Sequence, residues 1–210
     1  MIEVAASLWS VPVPEQLDTA LRLRDAGVRR LHWDTTDGRF AAAGGFSPAR
    51  AAELAAATGM AAEAHIMAEN SAQDVDAWTD FCDLVIVHAE SADWHSAVTR
   101  IEQRGCQPGL ALSLQTPSTI VPADMTTLCM AIVPGAAGSA FNDDVLRKTG
   151  ELRASAATRR IGIDGGVQRR HADRAADAGA NWLVVGTDLV FGGEKAWADL
   201  LLSGTTIAAD

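Results

Sequence analysis

Eight short apolar runs alternate with helix-patterned segments along the whole chain, and this alternation narrows the fold more than any other feature. The runs cover about 2–9, 28–34, 61–67, 83–88, 108–113, 128–133, 159–163 and 181–186. Each reads as a strand by length and apolar content. Between them, residues 14–26 carry Leu17, Ala20, Leu21 and Leu23 beside a charged face. Ser47-Pro48 supplies an N-cap residue followed by a first-turn proline. Residues 167–178 run polar and alanine-rich to Gly179, a helix stop. Asp25-Ala26-Gly27 and Asp177-Ala178-Gly179 close a helix before a strand in the same way. Eight such units in 210 residues predict an α/β fold, a single-domain (β/α)8 TIM barrel spanning 1–210. A doubly wound open sheet is the structural alternative, but no GxGxxG follows the first strand. The longest irregular stretch, 35–46, suits a loop over a site.

Composition removes several classes of partner. Seventeen basic against 27 acidic residues give a net charge of -10, which argues against nucleic acid and anionic membranes. A small phosphorylated ligand stays open, because backbone amides can bind it locally. No run of apolar residues is long enough to span a bilayer. The N-terminus MIEVAASLWS lacks the basic segment of a signal peptide. Cys82, Cys106 and Cys129 are widely spaced without a CxxC pair, so they read as small core residues rather than a disulfide framework. These features together predict a cytoplasmic protein. Tyrosine is absent and so cannot serve as a catalytic acid.

In a barrel, the C-terminal strand ends and the loops after them form the active face. Residues i and i+2 of a strand share a face, so His32 and Asp34 point the same way, as do His65 and Met67. His32 and Asp34 end the second strand, His65 the third and Asp164 the seventh, with Ser7 near the end of the first. A lone strand histidine is usually a hydrogen-bonded core residue. Four such polar groups at one barrel face are harder to explain that way, because a buried carboxylate is costly unless paired or metal-bound. Two imidazoles and two carboxylates fit one divalent metal, and the same two carboxylates fit an acid/base pair. His88, ending strand four, reads as support behind the site or as a rim residue.

Three glycine-rich loops follow the last three strands: Pro134-Gly135-Ala136-Ala137-Gly138, Asp164-Gly165-Gly166 and Gly186-Thr187. Loops at these positions hold the anion in phosphate-binding barrels, and glycine lets backbone N–H groups approach it. None of them contains Lys or Arg, so the expected cup is largely backbone-built. Trp33, between His32 and Asp34, should point away from them and under a helix. Trp78, Trp94, Trp182 and Trp197 read as packing residues. Trp9 shares the parity of Ser7 and fits either the pocket or simple packing. The charged run Arg169–Asp177 reads as a solvated helix face.

The segments ASLWS (6–10), LHWDTTDGRF (31–40), EAHIM (63–67), LALSLQTP (110–117), MAIVPGAAGSAF (130–141), IDGGV (163–167) and VVGT (184–187) occur in the order and spacing of a known family. Over essentially its whole length the chain resembles the ribulose-phosphate 3-epimerase family. The resemblance implies a (β/α)8 barrel with one catalytic divalent metal held by His32, Asp34, His65 and Asp164. It implies Asp34 and Asp164 as the acid/base pair, Ser7 as a substrate contact and Met67 and Met130 as pocket lining. It implies the glycine loops, with Gly135, Gly138, Gly165, Gly166, Gly186 and Thr187, as the phosphate grip. The mixed nitrogen and oxygen donors suit Zn, Mn, Fe(II) or Co better than Ca. The implied reaction is inversion at C3 of a phosphorylated ketose by two-base proton transfer through a cis-enediolate. The metal would polarise the C2 ketone. A homo-oligomer is the expected assembly.

The chain departs from the family pattern in places. Thr36 stands where the family usually has methionine, and Val133 where it usually has an acidic residue or Asn. Gly135-Ala136-Ala137-Gly138-Ser139 replaces a loop that usually contains phenylalanine. Ala137-Gly138 and Gly186-Thr187 resemble the branch that epimerises allulose 6-phosphate. Substrates are therefore expected to be ribulose 5-phosphate and xylulose 5-phosphate or fructose 6-phosphate and allulose 6-phosphate. Another lyase or isomerase on a phosphate-binding barrel, such as a decarboxylase or a thiamin-phosphate-type synthase, would share the glycine loops without needing the His/Asp set. A non-catalytic sugar-phosphate-binding protein would bind without turnover.

Overall fold

The structure is a computed structural model that describes residues 2–203. Its strands are β1 (Glu3–Ser7), β2 (Arg30–Thr36), β3 (Gly44–Gly45), β4 (Ala61–Met67), β5 (Leu84–His88), β6 (Gln107–Leu112), β7 (Thr126–Met130), β8 (Ile161–Asp164) and β9 (Trp182–Val185). All but β3 form one parallel sheet in the order β1-β9-β8-β7-β6-β5-β4-β2, and pairing of β1 with β2 closes it into a barrel. The helices are α1 (Gln16–Asp25), α2 (Pro48–Thr58), α3 (Asp76–Thr79), α4 (Trp94–Gln103), α5 (Asp144–Ser155), α6 (Arg169–Asp177), α7 (Thr187–Val190) and α8 (Glu194–Ser203). This is the expected (β/α)8 barrel. No helix among the described residues is long and apolar enough to cross a membrane.

Strand parity builds two apolar layers. One face of each strand packs against the helices, and there Trp33 is fully buried with its ring 4.8 Å from that of Phe46. The other face fills the barrel with Ala5, Leu84, Ile86, Ala111, Leu128, Met130, Trp182 and Val184. Trp182 therefore lies inside the barrel. Gly162, its register partner, makes the room: a Cβ there would come within 2.3 Å of the indole.

Two elements differ from the sequence reading. The run expected as a strand over 128–133 pairs only as Thr126–Met130. Beyond Met130 the Ala131 N–H donates to Asp164 O at 2.7 Å and the chain turns out of the sheet, so Ile132 lines a cavity instead of extending a strand. The stretch 35–46 is not wholly irregular. β2 continues to Thr36, and β3 folds back antiparallel on it, pairing Thr35 with Gly45 and Thr36 with Gly44. The expected N-cap is present, since Ser47 Oγ accepts from the Arg50 N–H at 3.3 Å.

Candidate active site

Parallel register brings the polar strand residues to one end of the barrel. Ser7 pairs with His32, Asp34 with His65, and Met130 with Asp164. One donor atom from each of His32, Asp34, His65 and Asp164 lies within 4.8 Å of every other. Ser7 Oγ donates to Asp34 Oδ2 at 3.0 Å. Asp34 Oδ1 sits 3.2 Å from His32 Nε2 and 3.0 Å from His65 Nδ1. Asp164 Oδ2 lies 3.7 Å from His65 Nδ1.

The electrostatics of this cluster separate its two carboxylates. Burial raises the Asp34 carboxyl, but His32 and His65 outweigh it and hold the group well below the usual carboxylate range. At Asp164 the same two imidazoles are outweighed: burial first, and then the charge of Asp34, push it up to about 6. Burial also disfavours a charged His32, yet Asp34 and Glu63 raise it well above the ordinary histidine value. The cluster thus draws positive charge into a buried place. Two imidazole nitrogens and two carboxylates converging there form a donor set that fits a divalent cation.

Behind each imidazole stands a carboxylate. Glu63 Oε1 lies 2.7 Å from His32 Nδ1 and accepts from Trp182 Nε1–H at 3.0 Å. Its second oxygen has no hydrogen-bond partner but faces Arg30 at 3.6 Å and Arg160 at 3.7 Å. Both arginines also hold Glu3, at 2.7 and 2.8 Å respectively. On the other side, His65 Nε2 lies 2.9 Å from His88 Nε2, and His88 Nδ1 lies 2.9 Å from Glu90 Oε2. Burial lowers His88 to about 4 in spite of Glu90. Burial raises Glu90, but His88 and Thr116 overcome this and bring it to about 2. His88 is therefore a supporting residue, one of the two readings open from sequence. Glu63 and Glu90 were missed. Strand parity was the available signal for Glu63, which precedes His65 by two residues on the same face, but not for Glu90, which lies in the turn after β5.

The cluster opens into a cavity of about 320 Å³. Ser7, Asp34, Met67, Met130 and Asp164 line it, as do Gly135, Gly138, Gly165, Gly166, Gly186 and Thr187. His32 and His65 lie fully buried behind that lining. Trp9 lines the cavity, which decides between its two readings. Gly165 and Gly166 take φ of 107° and 62°, and a Cβ on Gly166 would come within 2.6 Å of Phe141 N, so the loop after β7 packs directly on this turn. Of the positions where the chain departs from its family, neither Val133 nor Ala136, which stands in place of the phenylalanine, lines the cavity, and the Thr36 hydroxyl is turned to Ala42 O at 2.6 Å.

One expectation is corrected here. Arg169–Asp177 is not purely a solvated face, because Arg170 and His171 line the cavity. Helix α6 starts directly after the glycine turn, so its first turn faces the cavity and its later turns face solvent. Arg170 is exposed and makes no ion pair among the described residues. His171 is buried and stacks on Phe141 with ring centres 4.2 Å apart.

A closed parallel barrel with buried carboxylates and imidazoles at a glycine-lined cavity defines a (β/α)8 barrel enzyme. Comparison with known proteins narrows the class. The profile of the Ribulose-phosphate 3 epimerase family matches residues 3–190. The chain is 29% identical over 195 residues to the ribulose-phosphate 3-epimerase of Chlamydia pneumoniae, covering 87% of this chain and 85% of that one. It is 28% identical over 199 residues to the ribulose-phosphate 3-epimerase of Bacillus subtilis (strain 168), covering 89% and 91%. Among solved structures, phosphoribosyl anthranilate isomerase from Thermus thermophilus matches with a TM-score of 0.66 at 17% identity, covering 95% of this chain and all of that one, a likeness of fold alone. The chain belongs to the ribulose-phosphate 3-epimerase family. It is an isomerase, a sugar-phosphate 3-epimerase.

Proposed function

We propose that this enzyme inverts C3 of ribulose 5-phosphate and xylulose 5-phosphate, using Asp34 and Asp164 as its two proton carriers. The observation that carries this reading is that these are the two carboxylates lining the cavity, and that they meet at one cluster with two buried imidazoles. Inversion through a cis-enediolate needs a proton carrier for each face, and the opposite pulls on the two groups make Asp34 the one that stays ionised and Asp164 the one that more readily takes a proton. Ser7 orients Asp34 through its hydroxyl. Met67 and Met130 give the reacting carbons an apolar, water-poor surface. A divalent cation held by His32, Asp34, His65 and Asp164, of the Zn, Mn, Fe(II) or Co type, would supply Lewis-acid polarisation of the ketone.

The phosphate end is assigned to Gly135, Gly138, Gly165, Gly166, Gly186 and Thr187, with Arg170 adding a free cation. Phosphate binding fixes orientation far from the reacting carbon. Relatives named ribulose-phosphate 3-epimerase favour the pentulose pair. The hexulose pair is the second reading: Ala137-Gly138 and Gly186-Thr187, the two short segments that resemble the allulose 6-phosphate branch, both line the cavity. Turnover of pentulose and hexulose phosphates, followed by NMR at C3, tests both. Inversion of neither pair would refute the reading. A homo-oligomer in the cytoplasm belongs to the same proposal. A monomer by sedimentation at micromolar concentration would remove the first part, and fractionation tests the second.

A further inference from the structure

Two buried imidazole nitrogens in hydrogen-bond contact pose a question of protons. His65 Nε2 and His88 Nε2 are 2.9 Å apart, and neither residue has any exposed surface. One proton lies between them, so one ring donates and the other accepts. The outer nitrogen of His88 decides which. Glu90 Oε2 lies 2.9 Å from His88 Nδ1, and a carboxylate can only accept. A neutral His88 with its proton on Nδ1 has a lone pair on Nε2. His65 must then carry its proton on Nε2, which leaves the lone pair of His65 Nδ1 facing the oxygens of Asp34 and Asp164, an arrangement that a cation between them stabilises.

Glu90 is itself held in place. Its other oxygen accepts from the Ser113 N–H at 2.9 Å and from the Thr116 hydroxyl. Lys148, almost fully buried, donates to Ser113 O at 2.5 Å and to Thr116 O. The loop after β6 is thus pinned from both sides, and Glu90 is fixed against it.

We propose that Glu90 is a positioning residue that acts through His88 to set the tautomer of His65, so that His65 presents Nδ1 as a lone-pair donor to the site. This rests on the function proposed above, because without a cation the Asp34 carboxylate, 3.0 Å away, competes for a proton on His65 Nδ1.

The test uses the whole protein with 15N-labelled histidine. In zinc-loaded protein at pH 8, imidazole 1H–15N spectra should show His88 as the Nδ1–H tautomer. Glu90→Gln should abolish that uniform pattern, and zinc affinity, measured by competition with a chelator, should fall about 10- to 100-fold. His88→Gln keeps an acceptor oxygen toward His65 and an N–H toward Glu90, so it should hold zinc more tightly than His88→Leu. Thr116→Val removes one of the two contacts that hold the other oxygen of Glu90 and leaves the Ser113 N–H, so it should weaken zinc less than Glu90→Gln. An Nε2-protonated His88 in the native protein would overturn the relay. So would zinc binding by folded Glu90→Gln as tight as native, or Thr116→Val weakening zinc as much as Glu90→Gln. Native protein that binds no zinc would refute the metal reading and the relay with it, whereas zinc-loaded protein with an Nε2-protonated His88 would refute the relay alone.

Discussion

Glu63 Oε1 lies 2.7 Å from His32 Nδ1, with both side chains fully buried inside the barrel. A carboxylate in that position holds the Nδ1–H tautomer and directs Nε2 of His32 toward Asp34. Glu63→Gln keeps the shape and removes the charge. It should weaken zinc binding by about 10- to 100-fold while the protein stays folded. Glu63→Leu strips the partner from His32 and Trp182 and leaves Arg30 and Arg160 facing an apolar group, so it should cost about 3–5 kcal/mol in denaturant melts. Unchanged zinc affinity in Glu63→Gln would show that the contact has no bearing on the site.

Asp34→Asn and Asp164→Asn should each lower epimerisation by more than about 10²–10⁴-fold, the usual range for one general acid or base, because each carboxylate is assigned two tasks. Ser7→Ala should do less, since it removes only the 3.0 Å bond that orients Asp34. Steady-state rates with circular dichroism as a folding check decide this. Near-native turnover by either Asn variant, folded and metal-loaded, would exclude the two-carboxylate assignment.

Arg170 should reveal itself in KM rather than kcat. Its guanidinium is exposed, so water and salt screen it, and Arg170→Ala should raise KM only about two- to fivefold. The effect should shrink as ionic strength rises. A fall in kcat with KM unchanged would place Arg170 among the groups acting on the reacting carbon and contradict its assignment to the phosphate.

The thiols should be inert at neutral pH and costly at alkaline pH. Burial pushes Cys129 up to about 12 and Cys106 up to about 11. Between pH ~9, where an unfolded thiol ionises, and these folded values, the unfolded chain has lost protons that the native chain keeps. Stability therefore is fully present below pH ~9 and falls as pH rises through 9 to 11–12. Native protein should resist a thiol reagent at pH 8 and react at all three cysteines in guanidinium. Rapid native labelling would refute this account of the core.

Gly162→Ala should destabilise the barrel by about 1–3 kcal/mol, because its new methyl carbon would meet the Trp182 indole at 2.3 Å. Thermal unfolding measures it. A Tm unchanged from native would mean that the indole has room to move, which a filled interior does not offer.

How much of this was legible in the chain depends on the range of the contact that fixes each part. His32, Asp34 and His65 were readable because strand parity is local and polar groups break an apolar run visibly. Their convergence with Asp164 followed once eight strand–helix units were counted. Glu63 was not readable as a partner of Trp182, since the two lie 119 residues apart in sequence. The end of β7 was misread because Ile132 and Val133 continue an apolar run while the backbone has already turned, a turn set by Asp164 O on the next strand. Arg170 was misread because helical charge periodicity says which side of a helix is polar but not where the helix begins. Here it begins at the mouth of the cavity.

The most direct test of the central claim is epimerisation of ribulose 5-phosphate in D2O with zinc- or manganese-loaded protein, read by NMR and mass spectrometry at early times. Two carboxylates on opposite faces predict that product carries one solvent deuterium at C3 while unconverted substrate keeps its protium. Product that retains the original C3 proton, or no inversion of any ketose phosphate tested, would contradict it.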